Sequence, residues 1–470
     1  MKIAGHYCLL LLISVGCAGA IPENREAAFT YAVDQLQSGR PEAASSAAWR
    51  YVKGATTEDP RYDRALRLLA RSAEQMGLTY AAAQWFRDIA QGRREPELMS
   101  EAIGGLKIII ESGAFDEDAL VDGFLATAEI EGLPEDLQAF IRYYQGLNDA
   151  RHLKQRWAAD NFAKIPTNSP YAARAEYVRA VEAIARRQFK DATERLEALE
   201  KKTDLPADLA STVRRSLARL SAKAGLFEDA IQRYEQLRQD APGDPELLLE
   251  MAWVNYDRGD VRRALGLLLA LDAPIYADLI APERFLLEAL ALRRLCQFGP
   301  ARRAATRLRA KHGNALADIY AGVSLTSSRA IRDAARRRTP MKTLSAFYTR
   351  VSREQKMLDD LGVSQPLLLH LKQMYTRGVQ EAKRGFESAL AVEVDILASE
   401  LLAAEEGVNL ILHELGVGLL RGRNRSPGAP LRPAPEVTTG DRRSFFRFQG
   451  EFWTDELDDL VVVAEDRCID

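Results

Sequence analysis

LARLSAKAGLFEDAIQRYEQLRQDAP, residues 217–242, and MAWVNYDRGDVRRALGLLLAL, residues 251–271, are two copies of one pattern set 34 residues apart. In the first copy Leu217 and Ala218 are followed by Ser221, Gly225, Phe227, Ala230, Tyr234, Leu237 and Pro242. The second places Met251, Ala252, Asn255, Gly259, Val261, Ala264, Leu268 and Leu271 on the same frame. Apolar residues recur at threes and fours on each side of the glycine, which predicts two helices joined by a tight turn. Small residues at the second and sixth landmarks let the two helices approach closely, and the large apolar ones fill the space to the next unit. A single hairpin cannot bury its apolar face, so stacked copies must supply the core.

The frame extends outward in both directions. Aligning on the turn-side apolar position and the small residue three later gives Phe189 with Ala192 and Phe298 with Ala301. Thr79 with Ala82 is supported by Gly77 and Phe86, and Phe115 follows Gly113 but has Asp118 in the small-residue slot. Pro41 with Ala44 and Gln155 with Ala158 fit more loosely. In period and landmarks the chain resembles the tetratricopeptide repeat family over residues 24–310, in about eight hairpins of which four are strong. The resemblance implies an all-α solenoid that binds proteins or peptides. An irregular helical bundle is the alternative architecture.

The family's concave groove, carried onto matching positions, would be lined by outward residues of each first helix. These are Tyr177, Val181, Arg215, Arg219, Trp253, Tyr256, Leu286, Leu290 and Arg293. Aromatic and arginine side chains suit anchoring of a peptide, because they offer large contact area and directional donors. The competing reading makes Trp253 and Tyr256 ordinary core residues of an imperfect repeat.

The amino terminus points to export. Lys2 precedes an apolar run over residues 7–15, too short to span a bilayer, and Ala18-Gly19-Ala20 fits the small-x-small site of a secretory signal peptide over residues 1–20. A rival reading makes Cys17 a lipidated terminus, since Ser14-Val15-Gly16-Cys17 is similar to a bacterial lipobox. The expected destination in a Gram-negative host is the periplasm, or the periplasmic face of the outer membrane for the lipoprotein. The most apolar late stretch, residues 392–420, holds Glu393, Asp395, Glu400, Glu405, Glu406 and Glu414, too many charges for a second membrane segment. A chain of 470 residues would ordinarily form two or three globular domains, but a solenoid grows along one axis and escapes that rule.

Past the repeats, residues 311–420 form a long-helix region without the repeat frame. Residues 341–360 and 366–420 read as helices separated by Pro366, which lacks an amide hydrogen and constrains its predecessor. Leu371, Tyr375, Gly378, Ala382, Gly385, Ala389, Val392 and Ile396 form a seam at spacings of three and four. The seam is expected to cap the solenoid end, with a partner-helix surface as the other reading. Residues 421–440 hold Gly422, Pro427, Gly428, Pro430, Pro433, Pro435 and Gly440, a linker composition. The terminal segment, residues 441–470, crowds together Phe445, Phe446, Phe448, Phe452 and Trp453, then the β-prone Leu460-Val461-Val462-Val463. Such a tail must fold back on the solenoid or pair with a partner, in extended or β form. One reading puts it in the chain's own groove. Residues 450–457 resemble an ending found on some tetratricopeptide proteins of bacterial envelope and gliding-motility machines.

Net charge is −3, which gives no general attraction to nucleic acid. Charge is uneven along the chain. Residues 293–338 carry Arg302, Arg303, Arg307, Arg309, Lys311, Arg329, Arg332, Arg336 and Arg337, whereas Glu451, Asp455, Glu456, Asp458, Asp459, Glu465, Asp466 and Asp470 crowd the end. The blocks suit mutual docking, two separate solvated faces, or, for the basic one, contact with anionic lipid or polysaccharide.

The motifs of catalysis are missing from the sequence. His413-Glu414 lacks the second histidine of a zinc protease helix, and there is no phosphate loop, nucleophile elbow or Cys-x-x-Cys pair. We assign no catalytic residue, no metal ligand and no cofactor. Removal of residues 1–20 would leave Cys296 and Cys468, a candidate disulfide in an oxidising compartment. The reading that unites these features is an exported scaffold for protein–protein interactions in a bacterial cell-envelope assembly, such as gliding-motility or outer-membrane machinery. Its alternative is an accessory factor for export or assembly of a polysaccharide or other envelope polymer.

Overall fold

The computed structural model describes residues 21–113, 121–241, 243–276, 279–421, 430–433 and 461–468. The described chain is helical, and the last two segments are extended without forming a strand. It divides into two compact units, residues 1–138 with 346–383 and residues 139–345 with 384–470.

In the first unit α1 (Arg25–Gln37) pairs with α2 (Pro41–Gly54), and α3 (Tyr62–Gln75) with α4 (Thr79–Gly92). Helix α5 (Pro96–Glu111) packs on α4. The second unit continues with α6 (Glu135–Arg151, whose first turn falls in the first unit) and α7 (Gln155–Ala163), α8 (Pro170–Ala185) and α9 (Phe189–Glu200), then α10 (Ala207–Lys223) and α11 (Phe227–Asp240). It closes with α12 (Pro245–Asp257) and α13 (Val261–Ala270), then α14 (Glu283–Arg294) and α15 (Phe298–Tyr320).

Every aligned turn-side residue whose structure is described begins a second helix: Pro41, Thr79, Gln155, Phe189, Phe227, Val261 and Phe298. The small residue three later is fully buried in each, as Ala44, Ala82, Ala158, Ala192, Ala230, Ala264 and Ala301. A methyl group is all that fits where the two helices touch. Phe115 and Asp118 lie outside the described residues.

The turn is equally regular. Two residues before each second helix the backbone enters the left-handed region, at Gly39, Gly77, Leu153, Arg187, Gly225, Gly259 and Cys296. The next amide donates to the carbonyl five residues back, at 2.8–2.9 Å, in Arg40, Leu78, Lys154, Gln188, Leu226, Asp260 and Gln297. This is the Schellman closure, which satisfies carbonyls that the helix end would otherwise strand. Glycine takes the conformation without penalty, whereas Leu153, Arg187 and Cys296 each carry about 1 to 2 kcal/mol of backbone strain.

Helix starts follow local rules too. Asn24, Ser169 and Asp244 accept backbone amides of the first turn, and Pro41, Pro96, Pro170 and Pro245 occupy early positions where no amide hydrogen is needed. Successive repeats are stapled by arginine–carboxylate pairs at nearly the repeat spacing. Arg64–Glu95 at 3.1 Å and Arg71–Glu101 at 2.8 Å do so in the first unit. Arg174–Asp208 at 3.0 Å, Arg215–Glu250 at 2.8 Å and Arg307–Asp272 at 2.9 Å do so in the second.

The region after the repeats holds α16 (Arg329–Ala335), α17 (Thr339–Met357) and α18 (Gln365–Arg421), with Pro366 in the first turn of α18. Among described residues no helix is long and apolar enough to cross a membrane. In the first unit, Leu371, Tyr375 and Ala382 of α18 are buried, and Tyr375 and Glu354 close on α4. The Tyr375 hydroxyl donates to Glu354 Oε2 at 2.6 Å and the Tyr80 amide donates to the same oxygen at 2.9 Å. Helix α4 has no side-chain cap of its own, so Glu354 supplies the anion at its amino end. In the second unit the buried face of α18 is not the one the sequence suggests. Val392 and Ile396 are exposed, and Leu390, Val394, Leu397, Leu401, Ala404, Val408, Ile411 and Leu415 are buried instead. The seam of threes and fours drifts around the helix, because its spacing averages slightly less than the turn of an ideal helix.

Candidate functional site

The predicted groove residues all fall in the second unit, on α8, α10, α12 and α14, but they do not form one continuous open face. Val181 of α8 is 43% exposed. Tyr177, one turn earlier, is half-buried, with its hydroxyl 3.2 Å from Ser216 Oγ on α10. These residues and Arg219, whose side chain is 57% exposed, give the second unit an accessible patch of mixed apolar and polar character.

Arg215 and Arg219 are already engaged. Both converge on Glu250 of α12, Arg215 through Nη2 at 2.8 Å and Nε at 3.1 Å, Arg219 through Nη2 at 2.6 Å and Nε at 3.1 Å. Arg215 also reaches Asp244 at 3.2 Å and Glu246 at 3.4 Å. Burial pushes the Glu250 carboxyl up, but the guanidinium donors of Arg219 and Arg215 overcome it and hold the group below its ordinary range. Burial first, and the neighbouring Glu250 carboxylate second, push the Tyr234 hydroxyl upward. This cluster fixes the α10–α12 stacking. Arg219 alone of the two arginines presents substantial surface to a partner.

Trp253 and Tyr256 are partly buried and lean against the core. They meet edge to face with ring centroids 6.2 Å apart, and both lie against the cluster of Leu248, Met251, Ala252, Leu268 and Leu271. Tyr256 additionally carries the Arg294 guanidinium 5.2 Å from its ring centroid, while Arg294 Nη1 donates to the Tyr256 carbonyl at 2.7 Å.

Leu286, Leu290 and Arg293 of α14 are covered by the chain itself. Leu286 and Leu290 pack with Phe285, Ala404, Val408, Ile411 and Leu415, so the later part of α18 lies on this face. Arg293 Nη1 pairs with Glu414 at 2.7 Å. The approach is close enough that a side chain added at Gly407 would come within 2.9 Å of Leu286 Cδ1. A long apolar helix following the repeats outcompetes an open groove here, because α14 presents an apolar face with no further repeat to cover it.

The arginine-rich run is likewise mostly paired. Arg307 meets Glu288 at 3.0 Å and Asp272 at 2.9 Å, Arg309 meets the buried Glu405 at 2.6 Å, and Arg338 meets Glu393 at 3.0 Å and Glu400 at 2.9 Å. These pairs set arginines of the run against acids of α14 and α18 and against Asp272.

The described residues of the carboxyl-terminal segment lie on the solenoid. Residues 430–433 and 461–468 lie along the turn edge of α12, α13 and α14 and form a strap. The Arg432 amide donates to the Gly259 carbonyl at 3.1 Å, the Val462 amide to Arg262 at 3.2 Å and the Arg467 amide to Leu295 at 3.0 Å. Arg262, nearly buried, donates from Nε to the Ala464 carbonyl at 2.9 Å and from Nη1 to the Arg432 carbonyl at 3.2 Å. Ala464, Val462 and Leu431 rest on Val261, Leu265, Ala291 and Leu295. A disulfide joins Cys296, at its left-handed turn position, to Cys468, across 172 residues of sequence. Ordering the strap's eight final residues costs more than a few hydrogen bonds at about 1 kcal/mol each return, so the covalent bond is what holds it down. The aromatic residues Phe445, Phe446, Phe448, Phe452 and Trp453, most of the 421–440 linker, and Cys17 with the rest of residues 1–20 lie outside the described residues.

Comparison with known proteins gives the pattern its family. The tetratricopeptide repeat family's sequence model matches residues 221–278, the stretch holding α11, α12 and α13. A tetratricopeptide repeat protein from Parabacteroides merdae aligns over 75% of this chain and 98% of its own at 10% identity, with a TM-score of 0.26. A circular tandem repeat protein with a novel repeat topology aligns over 84% of this chain and 90% of its own at 12% identity, with a TM-score of 0.16. No curated protein matches the chain. Residues 221–278 thus match the tetratricopeptide repeat, a fold that is typically a non-catalytic scaffold for protein–protein contacts.

Proposed function

We propose that this tetratricopeptide-repeat protein is an exported scaffold that gathers proteins of a bacterial cell-envelope assembly, with the face of α8 and α10 in the second unit as its docking surface. The observation that carries the reading is the contrast along the first helices. The α14 face is covered by α18 and the α12 aromatics lean against the core, whereas Val181 and the Arg219 side chain are exposed, with the half-buried Tyr177 beside Val181 on α8. An exposed apolar side chain on α8 and an exposed arginine on α10 fit a helix or extended segment that offers an apolar anchor and acceptors. The arginine is pre-positioned by Glu250, so little side-chain freedom is lost when a partner arrives. Binding of this kind is an equilibrium event and requires no bond-making chemistry.

Export rests on the Lys2, apolar run and Ala18-Gly19-Ala20 pattern, with Cys17 as the lipid-bearing alternative. It accords with a disulfide-containing chain, since such bonds persist in oxidising compartments. Fractionation of cells carrying an affinity-tagged chain tests this part: recovery with periplasmic or outer-membrane markers is expected, and recovery with cytoplasmic markers overturns it. Mass spectrometry of proteins crosslinked to the intact chain and to a chain ending at Leu420 tests the scaffold. A common set of envelope proteins retained by both is expected, and no specific protein in either overturns the reading.

A further inference from the structure

The strap is the feature that the docking face leaves unexplained. Its final segment touches the repeats through one buried alanine, the half-buried Val462, and backbone hydrogen bonds at Val462, Ala464 and Arg467, with Gln297 Nε2 donating to the Glu465 carbonyl at 2.8 Å. Val463 points outward and is 56% exposed. Such contacts are too sparse to order eight residues unaided. Underneath lies an apolar seat of Val261, Leu265, Ala291 and Leu295, and beside it the Arg262 guanidinium, which spends its donors on the strap's carbonyls. A buried arginine whose hydrogen-bond acceptors are supplied by a tail is readily re-solvated when the tail departs, so release strands no charge.

We infer that the Cys296–Cys468 disulfide is a redox latch, which holds the strap on this seat when oxidised and lets it go when reduced. The two sulfurs differ in access: Cys296 is buried at the turn, and Cys468 is only partly covered, with its sulfur 3.6 Å from the Arg294 carbonyl. A dithiol reductant therefore enters at Cys468. Its thiolate bonds to Cys468 Sγ as the Sγ–Sγ bond breaks, and Cys296 leaves as a thiolate that takes a proton from water. The reductant's second thiol, as thiolate, then attacks the mixed disulfide, forms the reductant's own disulfide and releases Cys468 as a thiol. Two electrons pass from the dithiol to the protein. The strap leaves with Cys468, and the seat of Val261, Leu265 and Leu295 meets solvent. The inference does not depend on which partner the α8–α10 face binds.

Amide hydrogen exchange on the full chain, with the disulfide verified by non-reducing peptide mapping, tests the latch. Exchange is followed in the oxidised protein, after dithiothreitol, and in Cys468→Ser. The Val462 and Arg467 amides are expected to exchange about tenfold faster or more in both released forms, with residues 261–270 of α13 gaining exposure only at the seat and α8–α11 unchanged. Equal protection before and after reduction overturns the latch, as does a chain in which Cys296 and Cys468 are not paired under oxidising conditions. A rise in exchange across all of α8–α15 also overturns it, since the bond would then stabilise the unit as a whole rather than hold the strap.

Discussion

Replacing Gly225 by alanine isolates the energetic role of the left-handed turn. Gly225 has φ +78°, and a Cβ built there meets nothing within 4 Å, so no clash contributes. The cost is the backbone penalty of a non-glycine residue in this region, about 1 to 2 kcal/mol, less the roughly 0.5 to 1 kcal/mol saved by stiffening the unfolded chain. A net loss of about 0.5 to 1 kcal/mol follows. Arg187 occupies the equivalent position one repeat unit earlier with φ +61°, and its second helix begins two residues later in the same way. Arg187→Gly should therefore gain about as much as Gly225→Ala loses. In a cooperative unit of this size each change corresponds to a shift of about 2 °C in Tm. Thermal melts followed by circular dichroism at 222 nm, with urea unfolding as a second measure, would show the two shifts. Opposite signs and similar sizes are expected. The reasoning is refuted if both substitutions destabilise, or if Gly225→Ala leaves the midpoint unchanged.

Three further outcomes follow from buried groups and the open face. Burial, with Lys311 and Arg284 nearby, lowers the His312 pKa to about 4, against an unfolded value of about 6.5. The unfolded state then takes the proton first, so this contribution is intact above pH 6.5 and is lost as pH falls towards 4, by about 2 kcal/mol at pH 5. Comparison of urea midpoints at pH 7 and pH 5 should show that drop in the native chain and a smaller one in His312→Leu. Glu250→Ala leaves Arg215 without its main acceptor and should cost about 2 to 3 kcal/mol by urea unfolding, whereas Glu246→Ala, at the edge of the cluster, should cost under about 0.5 kcal/mol. Val181→Glu, on an exposed position, should leave Tm within about 1 °C while weakening partner binding about tenfold or more.

The repeat was legible because its landmarks are local and steric. A small residue three places into each second helix and a break two places before it are visible in sequence, and even the loose pairs Pro41 with Ala44 and Gln155 with Ala158 begin helices with buried alanines. Leu153, Arg187 and Cys296 hid their turns, since the strain they bear is supplied by the closing helices and not by the residue. The groove was legible only in part. Pattern places Leu286, Leu290 and Arg293 on an outward face, but it cannot say that α18 comes to lie on that face, because the contact spans more than 100 residues of sequence. The rotated seam of α18 misled for a related reason: Val392 and Ile396 continue the frame set by Leu371 and Tyr375, and a helix this long drifts out of any fixed frame. The repeat-spaced arginine–carboxylate pairs did leave a signal. Arg215 and Glu250, like Arg174 and Asp208, stand about one repeat apart, and a search for opposite charges at that separation would have found them.

The most direct test of the scaffold is capture of envelope proteins by the native chain and by Val181→Glu combined with Arg219→Glu, with the two chains matched for helicity and Tm. The account predicts a defined set of proteins crosslinked to the native chain and lost from the double variant. An identical set on both chains would contradict the docking face, and capture of no specific protein by the native chain would contradict the scaffold itself.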